Sequence, residues 1–274
     1  MSKIIVTVNS LKQLDELLDK DIYGVLLYID KLSVNSSFYV KIDDIKNINL
    51  KDKKLFLCMN KIMHNNDLSM VRDVLNKIKL MDVKILFYDM AIYNISKEIG
   101  IVDKLVIYQD HLNASIYSNN FYNGIGILGS YITSDITGEE LLEIKDNSKM
   151  EIYFLGYGYM PIFYSRRYLI KNYLKFIGVD ETSSKYSIKS DIGNVYPISE
   201  EEYGTTIYSE KPVNLINYLD ELEKIDYIVM NSNNISDSEF NLMVDKFINK
   251  EKIDDCYLGF YNTKTIFRVK SNNG

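Results

Sequence analysis

Two arginines and two lysines in the stretch GYMPIFYSRRYLIKNYLKF, Gly158 to Phe176, have the types and spacing that best suggest chemistry. Read as a helix from Pro161, a residue favoured in a first turn, this stretch puts Phe163, Ile170, Leu174 and Ile177 on one face. Arg167, Lys171 and Lys175 then form a stripe beside that face, with Tyr164 and Tyr168 further round. Guanidinium groups hold phosphate or carboxylate through paired hydrogen bonds, and tyrosines stack on bases or aromatic ligands. A solvated charged face over packed tyrosines explains the same pattern.

His111 and Asn113, in YQDHLNAS, form a second candidate. An imidazole just past a strand is a general base near neutral pH when a substrate proton lies within reach, and a hydrogen-bonded structural histidine fits equally. His64 is the only other histidine, so no site needing three imidazoles and no H-E-x-x-H zinc motif is available, and no metal centre is expected. GIGILG, Gly124 to Gly129, matches a dinucleotide fingerprint literally, but it follows a helical stretch and leads into a strand. Helix termination accounts for it better. No G-x-S-x-G elbow occurs, and no serine or cysteine stands in a nucleophile context.

The elements that must position these residues show first as a composition. The chain has 274 residues, 46% hydrophobic and 26% charged, enough for one large core in an ordinary globular protein. Without an apolar run of about 18 residues or a leader-like start, it is expected in the cytoplasm and off the membrane. Its net charge of −6 argues against nonspecific binding to nucleic acid, which depends on neutralising phosphates, but a local basic patch remains compatible with it. Cys58 and Cys256, the two cysteines, match no metal or redox spacing.

Short β-rich runs then alternate with helical periods: KIIVTV, GVLLYI, KLFLCM, VKILFY, KLVIY, GSYIT, MEIYFL and DYIVMN read as eight strands. Thr137 with Glu140, and Ser236 with Glu239, mark helix starts as capping boxes. The class is α/β, and a TIM-like (β/α)8 barrel is expected, although a doubly wound open sheet produces similar local patterns. Residues 178–214 break the period and read as an irregular excursion, and 256–270 as a C-terminal hairpin, all within one domain over 1–274. In a barrel the chemistry sits at the carboxyl ends of the strands, where Asp30, Asn60, Asp89, Gln109, Asn113, Ser134, Tyr157 and Asn231 fall.

MEIYFLGYGYMPIFYSRRYLIKNYLKF resembles the signature region of the peptidase U32 family, with its Tyr-Ser-x-Arg element. LFLCMNKIMHNNDL, VKILFYDMAIYNI, HLNASIYSNNFYNGIGILGSYITSDITGEEL, YPISEEEYGTTIYS and YLGFYNTKTIFRVK agree with the family in the same order. The resemblance implies a TIM-barrel-like domain, a collagenase-like peptidase label without a settled mechanism, and, in several branches, oxygen-independent hydroxylation. In those branches tRNA wobble uridine or ubiquinone precursors are hydroxylated with a four-cysteine iron–sulfur cluster.

Where the family carries its first two cluster cysteines this chain has Pro161 and Tyr168, and no cysteine follows within the next few tens of residues. No cofactor is therefore expected, an iron–sulfur cluster least of all. The resemblance carries over Ser165 and Arg167 as binding residues and Asn60, Asp89 and Asn113 as barrel-mouth residues. Together with His111, Tyr164, Lys171 and Lys175 these are the expected site. The implied role is tRNA uridine 5-hydroxylation, as an enzyme or beside a longer, cysteine-bearing relative, with tRNA or a small anionic donor as ligand. A peptidase and a scaffold that has lost its chemistry are the alternatives.

Overall fold

The computed structural model describes residues 2–180 and 186–264. All eight expected strands form. They are β1 (Lys3–Val6), β2 (Gly24–Ile29), then, after a two-residue strand β3 (Tyr39–Val40), β4 (Lys54–Met59), β5 (Val83–Phe87), β6 (Leu105–Tyr108), β7 (Gly129–Tyr131) and β8 (Glu151–Gly158). The last is β14 (Tyr227–Met230), reached after five further strands. Each of the eight pairs in parallel with the next, and β14 pairs with β1, which pairs with β2, so the sheet closes into a (β/α)8 barrel. Continuous apolar runs such as GVLLYI are buried throughout, as strands covered on both faces require.

Helices α1 (Leu11–Leu18), α2 (Leu68–Ile78), α3 (Met90–Ile99), α4 (Ile116–Gly124), α5 (Gly138–Asp146) and α7 (Asp237–Asn249) surround the barrel. Their starts follow local chemistry. Ser10, Asp89, Ser115, Thr137 and Ser236 each accept a backbone N–H of the first turn, and Thr137 with Glu140 closes a reciprocal box. One crossover lacks an α-helix, β2 to β4, which runs through β3 and a 3-10 turn, and the long β8 to β14 connection ends in two 3-10 turns.

The barrel interior is filled in layers by side chains that meet both between neighbouring strands and across the barrel. Near the amino ends, Phe56 lies edge-on to Tyr153, which stacks on Tyr227 at 4.3 Å. Lys84 donates from there to Glu151 and to the Tyr227 hydroxyl, both at 2.7 Å. Toward the carboxyl ends sit Tyr28, Cys58, Tyr108 and Tyr131, all buried, with Tyr108 edge-on to Tyr131 at 4.5 Å.

The excursion begins earlier than expected. β8 ends at Gly158, where φ is +139° and an added Cβ would lie 2.7 Å from the Asn231 carbonyl, so only glycine lets the chain leave the barrel there. The expected helix from Pro161 is corrected: Pro161–Ser165 is strand β9, and α6 spans only Leu169–Ile177, leaving Arg167 outside the helical stripe. Apolar spacing had suggested a helical period, but PIFYS is rich in residues that suit a pleated surface, and it pairs antiparallel with β12 (Gly204–Tyr208). β9 is an edge strand and Pro161 is its first residue, a position where the missing N–H costs nothing.

With β10 (Tyr186–Lys189) and β11 (Val195–Glu201), these strands make a four-stranded sheet in the order β10-β11-β12-β9, so part of the excursion is regular. The chain returns as β13 (Val213–Asn214), antiparallel to the end of β8. This cap is latched to the barrel by polar contacts: Tyr39 donates to Glu201, Thr206 to Asn35, and Asn233 to the Tyr208 hydroxyl at 3.0 Å. Lys61 lies over the Tyr203 ring at 4.4 Å. Of the expected C-terminal hairpin, Cys256–Lys264 carry turns and no strand, and 265–270 lie outside the described residues.

Candidate functional site

The carboxyl ends of β4, β5 and β6 deliver Asn60, Tyr88, Tyr108, Asp110 and His111 to one hollow, and β9 closes it from above with Pro161 to Tyr164. The cavity holds about 200 Å³. Larger hollows of about 410 and about 750 Å³ lie at the amino ends of the strands and between α1 and β3. Neither gathers side chains from the carboxyl ends of three successive barrel strands, where this architecture places its chemistry.

In the closed hollow, the Asp110 carboxylate meets His111 Nδ1 at 3.0 Å, and His111 Nε2 meets the Tyr88 hydroxyl at 3.4 Å. The imidazole also stacks on Tyr88, with centroids 5.9 Å apart and planes at 26°. Hydrogen bonding to Asp110 raises the His111 pKa above its ordinary value, against the opposing effect of burial, and Asp135 adds to the rise. Asp110 thereby fixes Nδ1 as the donor and leaves Nε2 for exchange with Tyr88 or a ligand, the arrangement of an acid–base group that works near neutral pH. Burial raises the Asp135 carboxyl as well.

The floor below is made of buried phenols and a thiol. Burial pushes the phenols of Tyr28, Tyr108 and Tyr131 upward, and it does the same to the Cys58 thiol. A fully buried thiol held in its protonated form is no nucleophile.

The expected residues divide. His111, Asn60 and Tyr164 line the hollow. Asn60 is occupied there: its Oδ1 accepts from Val34 N at 2.9 Å and its Nδ2 donates to Val34 O at 3.1 Å, which clamps the β2–β3 loop. Tyr164 donates to the Tyr203 carbonyl at 2.8 Å, which ties β9 to the turn before β12. Asp89 caps α3 through Ala91 N and also accepts Met63 N, both at 2.9 Å. Asn113, 1% exposed, donates to Ser130 and to the Tyr131 carbonyl, which ties the β6–α4 loop to β7. Ser165 Oγ accepts Arg167 N at 3.3 Å.

Arg167, Lys171 and Lys175 are exposed on the cap, Lys171 lies 6.0 Å above the Tyr168 ring, and none of the three lines the hollow. The start of α6 is held by Glu200, which accepts Ile170 N at 2.8 Å and Lys171 N at 3.0 Å.

Sequence reasoning passed over Tyr88, Tyr108, Asp110 and Phe163. Asp110 stood beside His111 in YQDH, and Tyr88 follows β5 directly, so the signal was present as polar residues at successive strand ends. Phe163 carried no signal once its stretch was read as helix.

The cluster that the resemblance implies does not fit these side chains. Cys58 lies inside the barrel and Cys256 lies beside Asn217, 3.4 Å from its Nδ2, while Pro161 and Tyr168 offer no thiolate. Among the described residues no three His, Cys, Asp or Glu side chains are grouped to hold a metal ion.

The solved structures similar to this chain include an orotidine 5′-phosphate decarboxylase from Thermotoga maritima, 9% identical with a TM-score of 0.45, over 90% of this chain and 98% of that one. A variant tryptophan synthase alpha-subunit from Pyrococcus furiosus is 14% identical with a TM-score of 0.35, over 91% and 96%. In sequence, the chain is 27% identical over 177 residues to tRNA hydroxylation protein P2 of Bacillus subtilis (strain 168). That match spans 62% of this chain and 57% of the relative, so little more than half of the relative's length is represented. The family model for peptidase family U32 matches residues 40–254, from β3 to beyond α7, and the chain belongs to that family.

Proposed function

We propose that this protein acts in the 5-hydroxylation of tRNA wobble uridine, as a subunit that holds substrate rather than an iron–sulfur cluster. The observation that carries this reading is the similarity to a protein named for tRNA hydroxylation. The cap supports it. Arg166, Arg167, Lys171 and Lys175 are exposed and form no ion pair among the described residues, in a chain whose net charge is −6. Unpaired cations beside exposed Tyr168, Tyr173 and Phe176 suit a phosphate backbone with unstacked bases. The redox centre then belongs to a longer, cysteine-bearing relative, and both work in the cytoplasm, where tRNA is modified. No helix among the described residues is long and apolar enough to cross a membrane.

Deleting the gene in its native host and measuring 5-hydroxyuridine and its derivatives in digested tRNA by mass spectrometry tests this. The modification disappears, returns with the wild-type gene, and returns weakly or not at all with Arg167→Glu combined with Lys171→Glu. An unchanged nucleoside profile in the deletion strain refutes it.

A further inference from the structure

We infer that the hollow between β9 and the carboxyl ends of β4 to β6 is a slot for one uracil base, turned out of a single-stranded RNA loop. The inference deepens the tRNA reading and rests on it for the polymer that carries the base. The slot itself stands on four observations.

The first is size. At about 200 Å³ the cavity is smaller than the roughly 300–1,000 Å³ of sites for drug-sized ligands, so it admits a single ring and leaves sugar and phosphate outside. Enzymes that act on a base inside a nucleic acid take it out of its stack into such a pocket.

The second is the wall. Tyr88 and His111 already stack on each other on one side, and Phe163 enters from β9 with 46% of its surface exposed. An aromatic side chain left half-exposed at the rim of a small cavity is a platform without a partner. Stacking on such platforms, joined to hydrogen bonds at the base edge, is how single-stranded RNA is read.

The third is the polar edge. Asp110 gives one carboxylate oxygen to His111, and its second oxygen makes no hydrogen bond among the described residues. Asn35 holds the left-handed conformation, φ +62°, which asparagine tolerates, and its carbonyls are engaged by the cap: Oδ1 accepts from Thr206 and the main-chain oxygen accepts from Asn233 at 3.1 Å. Its Nδ2 makes no hydrogen bond among the described residues, so a donor and an acceptor stand open on one cavity. Uracil presents a ring N–H beside a carbonyl oxygen, which meet the Asp110 acceptor and the Asn35 donor. Cytosine meets the same pair only in a different register, with its exocyclic amine on Asp110 and its ring nitrogen on Asn35, so a base held with its ring nitrogen facing Asp110 must be uracil.

The fourth is continuity. Arg166 and Arg167 follow directly on the strand whose first four residues close the slot, so the chain that covers the base leads into the cations suited to its phosphates.

The experiment uses the purified full chain and two anticodon stem–loop RNAs that differ only in uridine or cytidine at the wobble position. A third RNA carries photoreactive 5-bromouridine there. Anisotropy reads affinity, and peptide mapping after irradiation reads the contact. The crosslink is expected on Tyr88, His111 or Phe163. Phe163→Ala should weaken binding of the uridine RNA by about 5- to 150-fold, the range measured for loss of one base-stacking side chain. Asp110→Asn should reduce the preference for uridine over cytidine toward parity. Phe163 is half-exposed and its variant keeps the fold, which melting checks, and His111→Gln provides a second variant at the same wall.

Crosslinks confined to α6 or elsewhere, with Phe163→Ala binding like wild type, overturn the slot while leaving the tRNA reading in place. Failure of the loop RNA to bind also overturns the slot, and the gene deletion then decides whether the tRNA reading falls with it.

Discussion

The barrel and its cap are held by different physics. Buried apolar side chains of all eight barrel strands form one continuous core, whereas the few buried apolar groups of the cap, Ile170, Ile198 and Tyr208, stand outside that core. The cap docks instead through named polar contacts to loops at the barrel mouth: Tyr39 with Glu201, Asn35 with Thr206, Asn233 with Tyr208. Nondirectional burial tolerates variation at many positions, but a polar latch fails when one partner is lost, because the other is left buried and unpaired. The difference separates a scaffold from a cover latched over its mouth.

Substitutions should break the two regions unequally. Phe56→Ala, deep in the barrel, removes a ring packed on Tyr153 and Tyr227 and should cost about 3–5 kcal/mol, read as a large fall of the whole thermal transition. Tyr39→Phe deletes the hydroxyl that donates to Glu201, whose carboxyl is already raised by burial. It should cost about 1–3 kcal/mol, confined to the cap, so that amide exchange speeds up over 195–208 before the barrel strands respond. If both variants shifted barrel and cap together, the two would be one cooperative unit.

A smaller effect is expected at the start of α6. Glu200→Ala removes the acceptor of two first-turn N–H groups and should cost about 0.5–2 kcal/mol, seen as faster exchange at Ile170 and Lys171 with an unchanged barrel.

The smallest change is one of titration. His111 should titrate above the ordinary histidine value, and Asp110→Asn should lower its midpoint. Because the folded value is raised, the stabilising Asp110–His111 contact is fully present below the unfolded value, near pH 6.5, and is lost as pH rises through the folded one. With His64 the only other histidine, a two-line NMR titration with His64→Gln for assignment reads this directly.

The division also explains what was legible beforehand. Runs such as KLFLCM and VKILFY carry their fate locally, since a strand buried on both faces must be apolar along its length, and Thr137 with Glu140 announces α5 within four residues. PIFYS does not: its partner is β12, some forty residues away, and the same five residues fit the start of an amphipathic helix. Asp89 and Asn113 have the residue types of a site and the strand-end positions of one, yet Asp89 accepts the backbone N–H groups of Met63 and Ala91, and Asn113 is spent on the side chains of Asn119 and Ser130 and the Tyr131 carbonyl. Whether a polar side chain at a strand end faces a ligand or a loop depends on which N–H or carbonyl the next loop presents to it, and local pattern holds no record of that.

The sequence by itself determined an α/β chain of eight parallel strands with helices between them, because the alternation of apolar runs and helical periods can bury its core in few ways, and an ordered set of motifs pointed to the U32 family; closure into a barrel came from the pairing of β1 with both β14 and β2. Only the tertiary structure decided that the arginine-bearing stretch opens as a covering strand and that Tyr88, Asp110 and His111 share one hollow. Those outcomes rest on antiparallel pairing and polar contacts between residues far apart in the chain, whose energies exist only once the barrel has brought the partners together.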